Sequence, residues 1–172
     1  NVAKMKDFAM ADPNNLLLQK PDGTFHEAGG EAGVGSTLVG RGGAVSDFNL
    51  DGKPDIVVVN RWTPVQLWRN AGEGLGHWLQ LRLKQQGPNR DGIGAWIEVR
   101  SGGKLQRREI ISGGGHVSGE NNWWHFGLGQ AKEAEVRVLW PHQPPGEWQK
   151  LAADGFYWLE RGREPANWRA RR

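Results

Sequence analysis

The amino-acid sequence predicts an all-β chain, and three observations predict it. Glycine and proline are abundant, at 26 and 9 residues, so turns cut the chain into short segments. Several segments alternate apolar and polar residues with a period of two, as in Trp78-Leu79-Gln80-Leu81-Arg82-Leu83-Lys84. Helical periodicity is weak throughout: Asn1 to Ala11 and Ala131 to Glu135 are its best candidates, and both are too short or too mixed.

The first elements are brief. Leu16-Leu17-Leu18-Gln19 is apolar and ends at the turn sequence Lys20-Pro21-Asp22-Gly23. Gly43-Ala44-Val45-Ser46 runs into a polar loop from Asp47 to Asp55, and Ile56-Val57-Val58-Val59 leaves it. Four successive β-branched residues predict a buried strand. Val65-Gln66-Leu67-Trp68-Arg69 alternates and stops at Asn70-Ala71-Gly72. The composition of residues 71–76 is that of a flexible linker, which divides a first region, residues 1–70, from a second, residues 71–165.

In the second region Leu79, Leu81 and Leu83 share one face, and Gln80, Arg82 and Lys84 the other. The pattern predicts a half-buried antiparallel strand with its polar face in water. Ile93 to Arg100 repeats it, with Ala95, Ile97 and Val99 opposite Trp96, Glu98 and Arg100. Lys104 to Ile111 is more polar, Glu135 to Trp140 alternates again, and Phe156-Tyr157-Trp158-Leu159 reads as a last strand. Residues 166–172 read as a basic tail, frayed and solvated rather than a nucleic-acid surface.

Composition excludes several classes. The net charge is only +3, with 22 basic and 19 acidic residues mixed along the chain, so no nucleic-acid partner is expected. Cysteine is absent, which removes disulfides and thiolate metal sites. No run approaches the roughly 18 apolar residues of a membrane-spanning helix. The 10 tryptophans are assigned to core and sheet packing before any aromatic binding surface. Asn1-Val2-Ala3-Lys4 does not open like a signal peptide and reads as the interior of a longer precursor.

One segment carries chemistry in its spacing. Asp47-Phe48-Asn49-Leu50-Asp51-Gly52-Lys53-Pro54-Asp55 follows the pattern D-x-N-x-D-G-x-x-D. Oxygen ligands at alternate positions of a tight loop converge on one cation, and Gly52 permits the sharp turn. A hard dication of calcium's size accepts such all-oxygen coordination, whereas magnesium demands a stricter octahedron. The expected ligands are the side chains of Asp47, Asn49, Asp51 and Asp55 and the backbone carbonyl of Lys53. Val58 stands where an EF-hand carries its bidentate Glu, and the flanks are strand-like, so the ion is expected between two strands. The alternative is an ordinary Asp- and Gly-rich turn. A structural role is expected for the ion, since no base or nucleophile accompanies it.

A second stretch is both polar and aromatic. His116, Glu120, Asn121, Trp123 and Trp124 offer ring faces beside polar groups, a pattern that suits stacking on a sugar or seating a partner side chain. The alternative is a long loop whose tryptophans pack inward. His116 and His125 lack a third neighbouring ligand for zinc. Gly-His-Val-Ser-Gly is not a nucleophile elbow, because its serine comes one place late. Asn89-Arg90-Asp91-Gly92 reads as a turn before it reads as a ligand contact.

The segment from Gly40 to Asn60, around the Asp47–Asp55 loop, resembles an FG-GAP (VCBS-type) repeat, the calcium-loop blade unit of integrin-like β-propellers. Asn15-Leu16-Leu17-Leu18-Gln19 with Asp22-Gly23-Thr24-Phe25, and downstream Val65 to Asn70, resemble equivalent outer parts at a repeat of roughly 45–50 residues. Around Lys6-Asp7-Phe8 the calcium pattern is missing, so no second site is expected there. The remainder resembles the ASPIC/UnbV domain, through His77 to Leu83, Asn89 to Ala95, Ser112 to Gly119, His125-Phe126-Gly127-Leu128-Gly129 and Val136 to Pro141. The resemblance implies terminal propeller-type repeats, with further blades before Asn1, followed by a small antiparallel β-sandwich-like domain.

It also implies an exported protein, extracellular or periplasmic. The expected function is a calcium-binding, non-enzymatic interaction module with a protein or glycan partner. The rival expectation is an accessory subunit of a larger exported complex. A hydrolase built on the calcium loop is a third, disfavoured because no acid–base pair stands beside the ion.

Overall fold

Residues 12–115, 119, 121 and 123–169 are described by a computed structural model, and among them there is β structure and no helix. The expected all-β class is therefore observed. The stretch around Lys6–Phe8 and residues His116 and Glu120 lie outside the described residues.

The chain forms two units. The first comprises residues 12–45, 55–69 and Gly115; the second comprises Ser46–Pro54, Asn70–Gly114 and the described residues after 118. In the first, β1 (Asp12–Pro13) pairs with β4 (Thr37–Leu38), and β2 (Leu17–Gln19) pairs with β3 (Phe25–Glu27). The β2–β3 turn is closed by the Gly23 amide donating to the Lys20 carbonyl at 2.9 Å, with Gly23 at φ 85. β5 (Gly40–Ser46), β6 (Asp55–Asn60) and β7 (Gln66–Trp68) make a three-stranded sheet in that order. These described sheets do not close into a ring.

The buried strand expected at residues 56–59 is not buried within this unit. Val59 is 54% exposed and Ile56, Val57 and Val58 are half-buried. The hydrophobic residues fully buried among residues 12–69 are small, Ala28 and Val34, so a β-branched run has no deep core to enter.

The second unit holds two four-stranded sheets. One has the order β11-β8-β14-β15, from β8 (His77–Lys84), β11 (Trp124–Gly129), β14 (Gly155–Glu160) and β15 (Ala166–Trp168). The other has the order β10-β9-β12-β13, from β9 (Trp96–Ser101), β10 (Lys104–Glu109), β12 (Glu133–Leu139) and β13 (Gln149–Ala152). β15 occupies the start of the stretch expected as a basic tail. Ala131 to Glu135, the second weak helical candidate, leads instead into β12.

Period-two alternation explains the core between these sheets. Leu79, Leu81 and Leu83 of β8 are at most 1% exposed and meet Ile97 and Val99 of β9 and Val136 of β12 in one cluster. Trp124, Phe126, Leu128, Tyr157 and Leu159 complete the inner face of the first sheet.

Two expectations for this region fail. β8 pairs antiparallel with β11 but parallel with β14, Leu81 facing Tyr157, so the sheet is mixed. Gln80, expected in water with Arg82 and Lys84, is 1% exposed. Glu98, also placed on a polar face, is buried between Arg107 at 3.3 Å and Arg137 at 2.7 Å. Both side chains satisfy the rule that buried polar groups keep partners.

Leu81 lies at the centre of this core. Leu81→Ala is expected to cost about 2–5 kcal/mol by the transfer and cavity terms. Urea unfolding followed by tryptophan emission measures it, and a loss under about 1 kcal/mol would contradict the packing described.

Candidate functional site

The loop after β5, which ends at Ser46, groups through Pro54 with the second unit. The reason is in its contacts with β8. Gln80 Nε2 donates to Asp47 Oδ2 at 2.7 Å in a buried bond. A Cβ added to Gly52 would lie 2.0 Å from Trp78 Cε2, so a glycine is required against the indole; Gly52 also sits at φ 86.

Within the loop the oxygens gather on backbone amides. The Asp51 amide donates to Asp47 Oδ1 at 3.0 Å and to Asn49 Oδ1 at 3.3 Å. The Gly52 amide donates to Asp47 Oδ2 at 2.8 Å, and the Lys53 amide to Asp51 Oδ1 at 3.0 Å. Asn49 Nδ2 donates to Asp51 Oδ2 at 2.9 Å, and Lys53 Nζ stands 3.7 Å from the same oxygen. Leu50 takes φ 60, a left-handed conformation that a non-glycine side chain enters at a cost.

Asp47 is 8% exposed. Burial pushes its pKa above the ordinary carboxylate value, against the lowering effect of the Gly52 and Asp51 amides, and the Asp51 charge adds to the rise. Asp55, the first residue of β6, is 2% exposed. The sequence-predicted residues Asp47, Asn49, Asp51 and Lys53 are thus brought together in one loop, with Asp55 following in the next strand. The donor set is all oxygen, which fits a hard dication. Among the described residues, no group of three or more imidazole and carboxylate side chains surrounds a common point.

Beside the loop, a cleft of about 610 Å³ is lined by Asp51, Lys53, His77, Trp78, His125 and Asp154, with glycines 72, 74, 76, 127 and 129. His77 Nδ1 lies 2.7 Å from Asp154 Oδ2, and the Trp78 amide donates to Asp154 Oδ1 at 3.3 Å. Asp154 itself sits at φ 58 and its amide donates to the Trp78 carbonyl at 2.7 Å. The pair closes the turn between β13 and β14 onto β8. The described lining carries no hydroxyl or thiol nucleophile for it to activate.

The polar-aromatic stretch is dispersed by the fold. Trp124 is 6% exposed in the core, with the Arg108 guanidinium 4.8 Å from its ring centroid. Trp123 packs on Phe156, Trp158 and Trp168 at 5.3, 5.2 and 5.2 Å. Asn121 Oδ1 accepts a bond from Arg82 Nη2 at 3.2 Å. Trp124 therefore takes the inward-packing alternative, whereas Trp123 is half-buried among rings outside the core cluster.

Sequence reasoning missed Gln80 and Trp78. Gln80 and Asp47 are 33 residues apart, and β-alternation assigned Gln80 to solvent, so no local signal pointed to the contact.

Comparison with known proteins now places part of the chain. Residues 85–166 match the family described as ASPIC and UnbV, which supports a domain of that family in the C-terminal part. Human cartilage acidic protein 1 is similar, at 47% identity over 57 residues. That alignment covers 33% of this chain and 9% of the human protein, so the chain spans only a small part of that relative's length.

His125 on β11 adds a pH dependence. Its ring stacks on Trp78 at a centroid distance of 6.5 Å, and Nδ1 is buried without a hydrogen-bond partner among the described residues. Burial, aided by the Arg108 charge, holds its pKa below the ordinary 6.5. The unfolded chain therefore binds this proton at higher pH than the folded one. The stability it contributes is full above about 6.5 and is lost as pH falls toward the lower folded value. Denaturant unfolding should show a decline as pH falls below about 6.5 that His125→Gln reduces. An undiminished decline in the variant would assign it to other groups.

Proposed function

We propose that the chain is a calcium-stabilised, non-enzymatic interaction module of an exported protein, extracellular or periplasmic. Its first unit is read as FG-GAP/VCBS-type repeat sequence and its second as the ASPIC/UnbV-type domain. The observation that carries the reading is the convergence of the Asp47 and Asn49 oxygens on the Asp51 amide, in a loop led by a buried carboxylate. Asp47, Asn49, Asp51, the Lys53 carbonyl and Asp55 would hold the ion, which supplies positive charge to close the loop. The partner is a protein or a glycan. Similarity to a cartilage acidic protein is in keeping with an extracellular setting.

Calcium should raise the thermal midpoint and excess EDTA should lower it. At a free concentration about 100 times the Kd the gain is about 2.7 kcal/mol. Asp51→Ala should remove that gain. A midpoint indifferent to EDTA would end the calcium reading.

A second reading, an accessory subunit of a larger exported complex, is favoured by apolar side chains on the first unit. Leu17, Leu67, Val65 and Trp62 are 61%, 59%, 59% and 79% exposed there. Such surface is commonly covered in an assembly. Natively extracted protein should then co-elute with another chain in size-exclusion chromatography; elution as an isolated chain counts against it.

A further inference from the structure

We infer that Gln80 is a positioning residue of the calcium loop: it fixes the Asp47 carboxylate from β8 and so sets which oxygen the loop offers to the ion. The inference rests on the calcium reading above and deepens it.

Asp47 Oδ2 accepts two short bonds, from Gln80 Nε2 at 2.7 Å and from the Gly52 amide at 2.8 Å. Two donors match the number of lone pairs on one carboxylate oxygen. Oδ1 accepts the Asp51 amide at 3.0 Å, the same amide that Asn49 Oδ1 shares at 3.3 Å. The oxygen turned toward the other loop ligands is therefore Oδ1, and Oδ2 is held back against the sheet. Gln80 is 1% exposed, so its amide has no water to exchange for this bond.

The sheet reinforces the orientation. Gln80 and Trp78 are two residues apart on β8 and so project from one face. Trp78 meets Gly52, five positions beyond Asp47, where no side chain fits. The loop is thus pinned at its first ligand and at its turn by one strand. Groups of this kind, hydrogen-bonded to a ligand rather than to the metal, typically change metal affinity 10–100-fold when removed.

The test is calcium titration by calorimetry, with matched melts in EDTA. Gln80→Met keeps the side-chain length and deletes the donor. It should weaken calcium binding about 10–100-fold. In the Asp47→Ala background the same change should leave affinity unaltered, because the carboxylate it orients is gone. A purely structural role would lower the EDTA melt and leave the affinity of the Met variant equal to wild type; that result overturns the positioning role while the calcium reading stands. A folded wild type that binds no calcium overturns both.

Should Gln80→Met fail to fold, the wild-type protein decides. The side-chain NH₂ resonances of Gln80 should move at the same calcium concentration as the Asp51 and Gly52 amides. Resonances that stay fixed while those amides move would overturn the inference.

Discussion

β8 buries its leucine face and, on the other face, Gln80, and the second unit depends on that. Its leucines meet the opposite sheet in a core at most 1% exposed at Leu79, Leu81 and Leu83. Its other face, which a sandwich ordinarily leaves to water, receives the loop at Trp78 and Gln80. A strand apolar on one face and polar on the other is normally solvated on the second. Here the polar face is recruited to hold a carboxylate, and the strand becomes the common support of core and loop.

Burying Asp47 has an electrostatic consequence. A carboxylate removed from water is costly unless hydrogen bonds or opposite charge replace its hydration. The loop supplies neutral amides, from Asp51, Gly52 and Gln80, and the pKa of Asp47 still stands above its ordinary value. Hydrogen bonds therefore offset only part of the desolvation. A dication would supply what they do not, which is the physical sense of the calcium proposal. Glu98 shows the other solution on the opposite sheet, where two guanidiniums neutralise a buried acid and stack on Trp96 and Trp148.

The tryptophans divide along similar lines. Trp124 fills the core, while Trp123 packs against Trp158, Trp168 and Phe156, and Phe156 against Trp168, outside the core cluster. Aromatic load here stabilises sheet packing through edge and tilted contacts. Trp123, Trp158 and Trp168 are half-buried, so paired tryptophans in the sequence were an ambiguous signal: one ring enters the core and its neighbour joins a surface layer.

Legibility followed the range of the interactions. The alternation of Leu79, Leu81, Leu83, Ile97, Val99 and Val136 marked the core correctly, since period two places alternate residues on one face whatever they meet. The D-x-N-x-D-G spacing likewise marked a loop that gathers its own oxygens, because every bond within it spans five residues or fewer. Short strands such as β1, β3, β4, β13 and β15 carry too few residues for a period and were not legible.

What the sequence by itself determined was the all-β class, the inner face of β8 and the local form of the Asp47–Lys53 loop, all set by sterics and spacing over a few residues. Only the tertiary structure decided that β14 joins β8 in parallel, that Glu98 and Gln80 leave water, and that the loop rests on Trp78. Those outcomes depend on which distant groups meet, and a polar residue in a β pattern is assigned to solvent until its partner's position is known.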